Sequence, residues 1–385
     1  MIDQKEQWSK ASLNMLAKQG NSNTNLFKIR QLILDNNIDA ILLTSKQNRY
    51  WATGFLNSSG YLYVDLKRAI LFVDGRYKTD VINKAKDCEV FIVKNVFEDI
   101  NQEINKFGIQ SLGIESEYLT NNFIEMLQEK VQVPIIKPVS VRSLRMVKTK
   151  LELAKLAKAA EIGDKALIEV LRNFKLGKTE DELENEIFAS FIKQKADKIF
   201  PRVVLVSGER GCLPHGKPTD KVIHEGELLT IDFGCVYDGY CSDMTRTVAI
   251  GEVSEELRKI YQIVKEAQAA GIRNAYPGIT GAELHKIVWN VIDGYGYADY
   301  FVHQTGHGIG LEVHEAPRVA SYDNTILEEN MVVTIEPGIY IPGVGGVRIE
   351  DMVQVTKDGG KCLTKLNNEL INILGEELNF AINRY

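Results

Sequence analysis

Two apolar segments, each interrupted by an acidic residue, constrain the fold of this 385-residue chain more than any other feature. Residues 227–234 read ELLTIDFG and residues 331–338 read MVVTIEPG, so Asp232 and Glu336 each follow Thr-Ile and precede a glycine by two positions. Short apolar runs bounded by turn residues are typical of buried strands. Because buried acids are rarely unpaired, the two segments predict a weak internal repeat of strands that carry a polar site.

Each segment is followed by a turn and by a second strand with another acid. Asp243 follows Asp232 across a turn that we place at residues 237–238, and Glu350 follows Glu336 across the turn-rich IPGVGG. The members of each pair are symmetric about their turn, which predicts that they lie directly opposite each other. Opposed residues in an antiparallel pair have Cβ atoms about 4.5–5.5 Å apart. We therefore expect two pairs of facing carboxylates.

Four carboxylates at this separation repel one another unless cations balance them. Two divalent cations carry the matching charge, and an oxygen-rich set with one imidazole suits manganese, cobalt or zinc. Two such ions about 3.5–4 Å apart form the di-metal arrangement used for hydrolysis. A single acid in a strand, such as Asp243 or Glu350, is more often a solvated residue or a turn cap than a metal ligand. Asp232 and Glu336 are harder to explain in that way, since each lies within an apolar run.

The imidazole is expected from HQTGHGIGLEVHE, residues 303–315, which holds three of the six histidines. His303 and His307 have the i, i+4 spacing of metal-binding histidines on a helix. The three glycines at 306, 308 and 310 argue against a helix and favour an extended or looped backbone that closely approaches another group. A single histidine is more often structural, but three in one glycine-rich segment indicate function.

The composition excludes several other classes of protein. With 44% hydrophobic and 25% charged residues, the chain resembles an average soluble globular protein. A net charge of −6 gives no basic surface for nucleic acid or anionic lipid, and no apolar run reaches the roughly 20 residues that cross a bilayer. Five scattered cysteines without a CxxC pair indicate reduced thiols. Together with an N-terminus that lacks a signal-peptide pattern, these features predict a cytoplasmic location.

The pattern along the chain predicts three parts. Residues 1–23 are polar and predict a weakly ordered extension. Residues 24–142 alternate apolar runs with helical patterns and predict a mixed α/β domain, whereas residues 143–385 alternate paired strands with helices. Capping-box signatures, in which a threonine is followed three residues later by glutamate, mark helix starts at Thr149, Thr179 and Thr280.

The motifs resemble those of the metallopeptidase family of methionine aminopeptidase, Xaa-Pro aminopeptidase and prolidase, which has the pita-bread fold. The matching segments are LPHG (213–216), TIDFG (230–234), SDMTRT (242–247), TGHGIGLEVHE (305–315), TIEPGIY (334–340) and GVRIED (346–351). The segment ATGFLNSSGYLYV (52–64) is similar to the extra N-terminal domain of the Xaa-Pro peptidases. The resemblance implies an N-terminal mixed α/β domain followed by a catalytic pita-bread (creatinase/aminopeptidase) domain with a pseudo-twofold repeat.

The resemblance also implies roles for individual side chains. The five ligand positions of the family are filled by Asp232, Asp243, His307, Glu336 and Glu350. Asp243 and Glu350 would bridge two divalent ions, with manganese preferred over cobalt or zinc. Residues on the substrate side would be His215, His303, His314 and Arg348. The segment SGERGCLPHG (207–216) departs from the family version with asparagine after Ser-Gly, and His224, which has no family role, is expected at the surface.

The implied reaction is hydrolysis of the bond between an N-terminal residue and proline by a hydroxide that bridges the metals. Glu336 would carry the proton to the leaving nitrogen, while His314 and His303 would stabilise the tetrahedral intermediate or hold the substrate. His215 would contact the substrate. In the simpler alternative, His215 is a solvated loop residue, His303 only supports a neighbour and Arg348 neutralises an acid. A homodimer is the assembly that the resemblance suggests.

Three alternatives remain open. A dipeptidase (prolidase) differs from an aminopeptidase only in the peptide length accepted, which the motifs do not specify. Creatinase-like amidinohydrolases use the same fold without metal, but their ligand positions are not all acids and histidine. A non-catalytic peptide-binding module built on this fold is expected to have lost ligands. Metal analysis, followed by hydrolysis of an Xaa-Pro peptide with and without chelator, distinguishes these classes.

Overall fold

The structure is a computed structural model that describes residues 24–200 and 203–375. Its residues group into two units, Met1–Leu144 and Arg145–Tyr385. The boundary that we expect after residue 142 falls close to this division and stays a prediction. The predicted extension at residues 1–23 lies outside the described residues.

The first unit is built on a mixed sheet. Its elements are α1 (Thr24–Asp35), β1 (Ala40–Leu43), α2 (Lys46–Thr53), β2 (Tyr61–Asp65), β3 (Ala69–Asp74), α3 (Lys78–Lys84), β4 (Glu89–Val93), α4 (Val96–Phe107), β5 (Ser111–Glu115), α5 (Asn121–Lys130) and β6 (Ile135–Val139). The strand order is β4-β3-β2-β1-β5-β6, with β1, β5 and β6 parallel and β2 antiparallel to both its neighbours. Strand β1 is buried along its length, as expected for a strand covered on both faces.

The second unit pairs strands with four helices among its described residues. Its elements are α6 (Lys150–Arg172), α7 (Glu180–Lys193), β7 (Lys198–Ile199), β8 (Val204–Ser207), β9 (Leu228–Phe233), β10 (Cys235–Tyr237), β11 (Tyr240–Cys241), β12 (Met244–Ala249), α8 (Glu255–Arg273), α9 (Gly281–Gly294), β13 (Gly306–Gly308), β14 (Glu315–Val319), β15 (Val332–Ile335), β16 (Gly338–Ile341), β17 (Gly345–Arg348), β18 (Asp351–Thr356) and β19 (Gly359–Cys362). Two sheets that carry residues of the site have the orders β12-β9-β8 and β14-β13-β15-β18-β19. Apolar residues of α6 and α7 pack against β8, β9 and β12.

The helix starts agree with the sequence signals. The predicted capping boxes are confirmed at the starts of α6, α7 and α9, where a threonine hydroxyl accepts from the backbone N–H three residues later and the glutamate there accepts from the threonine N–H. Ser254 caps α8 by accepting from the Leu257 N–H. Every helix within residues 24–200 and 203–375 is too short or too polar to span a bilayer.

The internal repeat is visible as two interrupted hairpins. In the first, β9 pairs with β12 and the interrupted tip is formed by β10 and β11. In the second, β15 pairs with β18 and the tip is formed by β16 and β17. The interruption comes at Gly234 in one hairpin and at Glu336-Pro337 in the other. Asp243, Glu336 and Glu350 therefore lie at breaks between regular pairs, whereas Asp232 lies in β9, two residues before Gly234.

The predicted register of the first hairpin is wrong by a small shift. Asp232 pairs with Thr245 rather than with Asp243. The turn residues are Asp238 and Gly239, both with positive φ (45° and 79°), as in the two-residue type I′ turn that suits a twisted hairpin. The turn therefore centres one position later than predicted, and Asp243 lies diagonal to Asp232, two residues from its partner.

The predicted register of the second hairpin is confirmed. Ile335 pairs with Asp351 on one side of the break and Gly338 pairs with Arg348 on the other. Between these two pairs, Glu336 therefore lies opposite Glu350. The glycine at the centre of this turn, Gly343, has φ of 76° and permits the reversal that symmetry predicts.

Candidate metal centre

Three predicted ligands from different parts of the second unit converge at one point. One ligand atom each of Asp243, His307 and Glu350 lies within 4.8 Å of the other two. His307 is the middle residue of β13, Asp243 directly precedes β12 and Glu350 directly precedes β18. The two hairpins meet here, because the Glu350 N–H donates to the Thr245 carbonyl oxygen (3.1 Å). All three side chains are buried, with 8% or less of each residue exposed.

Glu336 joins this group, whereas Asp232 lies at its edge. His307 Nε2 is 3.3 Å from Glu336 Oε1 and 3.7 Å from Asp243 Oδ2. The half-buried Asp232 is held instead by Arg348, whose Nη2 donates to Asp232 Oδ2 at 2.6 Å. The structure thus gathers four of the five predicted ligands by direct distance, and the fifth acts on them through its charge.

The acids of this group raise one another's pKa. Burial is the largest reason that the pKa of Asp243 and that of Glu350 lie well above their usual values. The Asp232 carboxylate adds to the rise for Asp243, and the Asp243 carboxylate adds to the rise for Glu350. Burial also raises the pKa of Glu336 to about 7, with the Asp232 charge adding to it. The centre therefore holds more negative charge than its protein surroundings balance.

A divalent cation fits this donor set. Burial lowers the pKa of His307 to about 3, which leaves a neutral imidazole, and a metal requires the neutral ring. Its Nδ1 faces the Gly308 carbonyl oxygen at 3.1 Å, so that Nε2 points toward the acids. Carboxylate oxygens with one imidazole nitrogen match manganese, cobalt or zinc, and the cation would relieve the repulsion between the acids.

The glycines of β13 allow the backbone to approach the sheet closely. A Cβ on Gly306 would overlap the Thr334 carbonyl oxygen, and a Cβ on Gly308 would overlap the Ala316 carbonyl oxygen. The extended and closely packed backbone predicted for this segment is therefore confirmed, and a helix is excluded. The packing places His307 between the two acid-bearing hairpins.

Two threonines that we did not single out from the sequence orient these acids. Thr245 Oγ1 donates to Glu350 Oε2 (2.7 Å), and Thr334 Oγ1 donates to Glu336 Oε1 (3.0 Å). Thr334 also accepts from the His307 N–H (3.1 Å). For Thr334 the Thr-Ile pair before Glu336 was an available signal, whereas nothing around Thr245 in SDMTRT connects it with Glu350.

Arg348 connects several groups around the acids. Its Nε donates to Thr245 Oγ1 (3.1 Å), and its Nη1 donates to the Pro214 carbonyl oxygen (3.0 Å) and to Tyr340 Oη (2.9 Å). Its Nη2 donates to Asp232, so the buried guanidinium neutralises that acid. Its other nitrogens hold the groups to which they donate. Tyr340 was missed by the sequence reasoning, because nothing in TIEPGIY distinguishes it from a packing residue.

The four predicted histidines outside the ligand set occupy different environments. Both ring nitrogens of His303 have protein partners, since Nε2 lies 2.8 Å from Tyr340 Oη and Nδ1 lies 2.8 Å from the Gln304 carbonyl oxygen. His314 is exposed, and its ring centroid is 4.3 Å from that of His307. His215 is exposed in the loop whose Pro214 carbonyl is held by Arg348. His224 is exposed, as predicted.

Comparison with known proteins identifies two domains in this chain. Residues 154–357 match the model of metallopeptidase family M24, and residues 26–147 match the creatinase/prolidase N-terminal domain. An Xaa-Pro dipeptidase of Pyrococcus horikoshii is 40% identical over 363 residues, which cover 91% of this chain and 99% of that protein.

Solved structures agree over nearly the whole chain. The Xaa-Pro dipeptidase from Bacillus anthracis superposes with a TM-score of 0.87 at 39% identity and covers 91% of this chain and 99% of its own. The X-Pro aminopeptidase from Thermotoga maritima gives 0.82 at 33% identity, with 87% and 97% covered. The predicted fold class, an α/β N-terminal domain before a pita-bread domain, is confirmed. The chain therefore belongs to metallopeptidase family M24 and is an enzyme with a creatinase/prolidase N-terminal domain ahead of its peptidase domain.

Proposed function

We propose that this enzyme is an Xaa-Pro aminopeptidase that hydrolyses the bond between an N-terminal residue and proline with two divalent metal ions. The proposed ligands are Asp232, Asp243, His307, Glu336 and Glu350. The observation that carries the proposal is the convergence of Asp243, His307 and Glu350 within 4.8 Å. Manganese is the preferred ion, with cobalt or zinc as alternatives that suit the same donors.

When bound, divalent ions supply a nucleophile at neutral pH by lowering the pKa of a coordinated water, and they polarise the scissile carbonyl. Glu336 is suited to move the proton from the nucleophile to the leaving nitrogen, because it is partly exposed whereas Glu350 is buried. Thr334 holds the Glu336 carboxylate in position while it does so.

His314 is the better of the two proposed donors to the developing oxyanion. Its exposed ring lies against that of His307 and can reach a substrate at the centre. Both nitrogens of His303 are already engaged, so we assign that ring to holding Tyr340 and through it Arg348. Arg348 then orients Asp232, and His215 contacts the substrate from its loop.

The preference for proline is supported by the names of the relatives. A peptide bond to proline lacks an N–H and has restricted geometry, so general peptidases handle it poorly and a dedicated site is required. The relatives from P. horikoshii and B. anthracis are named as Xaa-Pro dipeptidases, whereas that from T. maritima is named as an X-Pro aminopeptidase. The Xaa-Pro dipeptidase activity is therefore the second candidate.

Assembly and location complete the proposal. A homodimer in the cytoplasm is expected, with no nucleic-acid or membrane partner. All five cysteines are free thiols, which supports a reducing compartment. Sedimentation of the purified protein tests the dimer.

Metal analysis combined with a peptide series tests the function. The purified protein is expected to bind two equivalents of Mn²⁺ and to hydrolyse Xaa-Pro peptides only without chelator. A series from Ala-Pro to longer Ala-Pro peptides separates dipeptidase from aminopeptidase, because a dipeptidase accepts only the first. Asp243→Asn is expected to abolish the metal-dependent activity and keep the circular dichroism of the wild type. Turnover at the wild-type rate in that variant, or full activity with chelator, would contradict the proposal.

A further inference from the structure

Glu180 is a fully buried acid at the first position of α7, and its carboxylate joins two distant points of the chain. Its residue is 0% exposed. Oε1 accepts from the Ser207 N–H (2.8 Å) and from Ser207 Oγ (3.0 Å). Oε2 accepts from the Thr219 N–H (3.2 Å) and from Thr219 Oγ1 (3.0 Å). One side chain thus holds residues 207 and 219 side by side.

These two residues are the ends of the segment 208–218, which we name the His215 loop because it carries His215. Arg210 lies within the loop, and its Nε donates to Glu180 Oε2 (3.1 Å) while its Nη2 donates to the Lys217 carbonyl oxygen (2.6 Å). The cation therefore balances the buried acid and crosses the loop from one side to the other. Glu180 contacts both ends of the His215 loop, and Arg210 links Glu180 to the backbone at Lys217.

The far end of the His215 loop is held at the candidate metal centre. Arg348 Nη1 donates to the Pro214 carbonyl oxygen at 3.0 Å. Near the start of the loop, a Cβ on Gly211 would lie 2.8 Å from the Gly346 nitrogen, so the loop backbone contacts the strand that leads to Arg348. With its base fixed by Glu180 and its tip fixed by Arg348, the loop has little freedom to move His215.

Starting the helix does not explain the burial of Glu180. The capping box of α7 is made by Thr179 and Glu182, whose carboxylate accepts from the Thr179 N–H (2.9 Å). Glu182 is solvent-exposed and lies on the same helical turn. The capping box of α7 is therefore complete without Glu180, whose carboxylate contacts Arg210 and the two ends of the His215 loop.

We propose that Glu180 is a positioning residue that holds the His215 loop so that His215 meets the substrate, and that it thereby sets substrate affinity. The inference rests on the proposed function, which makes His215 a substrate contact. Removing the Glu180 charge would leave Arg210 without its partner and would leave the donors of Ser207 and Thr219 competing for one acceptor. The loop base would open while the acids of the metal centre stay in place.

The first test compares Glu180→Gln with Glu182→Gln. Glu180→Gln is expected to raise KM for an Xaa-Pro peptide about tenfold, the effect of losing one good contact, with kcat and Mn²⁺ content close to wild type. Glu182→Gln makes the same change of charge on the same helical turn, keeps an acceptor for the Thr179 N–H, and is expected to leave KM unchanged. Thr219→Val, a milder change at the loop base, is expected to raise KM in the same direction.

Two further measurements connect the effect to the loop and to His215. Amide hydrogen exchange of residues 208–218 is expected to rise in Glu180→Gln and to stay at the wild-type rate in Glu182→Gln. In a His215→Ala background, Glu180→Gln is expected to add no further rise in KM, because the residue acts through His215. Equal loop exchange in the two single variants, or KM effects that multiply in the double variant, would overturn the proposal. The exchange measurement does not depend on turnover. It therefore tests the role of Glu180 in the loop even if the protein does not hydrolyse Xaa-Pro peptides.

Discussion

At the residue scale, hydroxyl groups hold the acids that would hold the metal. Thr245 contacts Glu350 at 2.7 Å and also accepts from Arg348 Nε, and it pairs with Asp232 across the hairpin. One threonine therefore touches three groups of the candidate centre. Partners of this kind orient metal ligands and adjust their basicity.

Thr245→Val should weaken metal binding without removing a ligand. The isosteric change deletes the hydroxyl that donates to Glu350, and losing such a partner typically costs about 10–100-fold in metal affinity. Calorimetric titration of the metal-free protein with Mn²⁺ measures the loss. Thr230→Val is the matched control, because it loses a hydroxyl contact with Thr247 (3.0 Å) in the same sheet but touches none of the acids. Equal affinity in the two variants would show that packing alone holds Glu350.

His314→Ala should separate turnover from metal content. The ring lies beside His307 but is not among the converging ligand atoms. Loss of an oxyanion donor lowers kcat by about 10²–10³-fold, so turnover should fall by this order while bound metal, measured by mass spectrometry, stays at the wild-type level. A parallel fall of both quantities would instead make His314 a ligand or a structural residue.

The sequence identifies those site residues that stand out against their neighbours in the chain. Asp232 and Glu336 are conspicuous because an acid interrupts an apolar run, and His307 because it lies between glycines. Tyr340 and Glu180 have no such mark. Their roles depend on contacts with residues far along the chain, with Arg348 and His303 in one case and with Ser207 and Thr219 in the other. Long-range contacts of this kind leave no periodic signal.

At the element scale, turn chemistry decides how well a register can be predicted. The second hairpin has a glycine at its centre of symmetry, and the predicted opposition of Glu336 and Glu350 is confirmed. In the first, Tyr-Asp-Gly allows two positions for the turn, and the left-handed conformations of Asp238 and Gly239 select the later one. A shift of one position in the turn centre moves the partner of Asp232 by two residues, which keeps both acids on one face.

The contribution of Asp164 to the stability of the folded protein should fall as the pH rises, because ionisation places a charge in a buried site. Asp164 of α6 accepts from the backbone N–H groups of Lys365 and Leu366 (2.9 and 3.1 Å). Burial raises its pKa from 3.8 to about 6, despite these hydrogen bonds. The folded state therefore favours the protonated carboxyl, so the contribution of Asp164 to stability is complete below pH 3.8 and is lost as the pH rises through 6.

Comparing urea unfolding of Asp164→Asn and wild type across this range measures the effect. Since the variant does not titrate at this position, its stability relative to wild type should increase by up to about 3 kcal/mol from about pH 4 to pH 7. Chelator in every sample removes any contribution from bound metal. A difference between the two proteins that is constant over this range would mean that Asp164 keeps an ordinary pKa.

At the scale of the whole molecule, the repeat explains why the acids converge. Each interrupted hairpin presents acids at its break, and the two breaks adjoin where the Glu350 N–H donates to the Thr245 carbonyl oxygen. The sequence predicts each hairpin separately, because apolar strands and turn residues are local features of the chain. Their meeting is a long-range contact, which the balance of four carboxylate charges and the family resemblance suggested in advance.

Removal of the metal should speed amide exchange in one unit of the chain and leave exchange in the other unit unchanged. A ligand that binds only the folded state stabilises it by RT ln(1 + [L]/Kd), about 2.7 kcal/mol at a hundred times Kd. Every proposed ligand lies in the unit Arg145–Tyr385. Adding Mn²⁺ to chelator-treated protein should therefore slow amide exchange in β9, β12, β15 and β18 and leave β1 to β6 at their metal-free rates. Asp243→Asn should lose the slowing while its metal-free exchange in β1 to β6 matches wild type. Uniform slowing over both units, or an undiminished response in Asp243→Asn, would place the binding of the ion elsewhere than between the two hairpins.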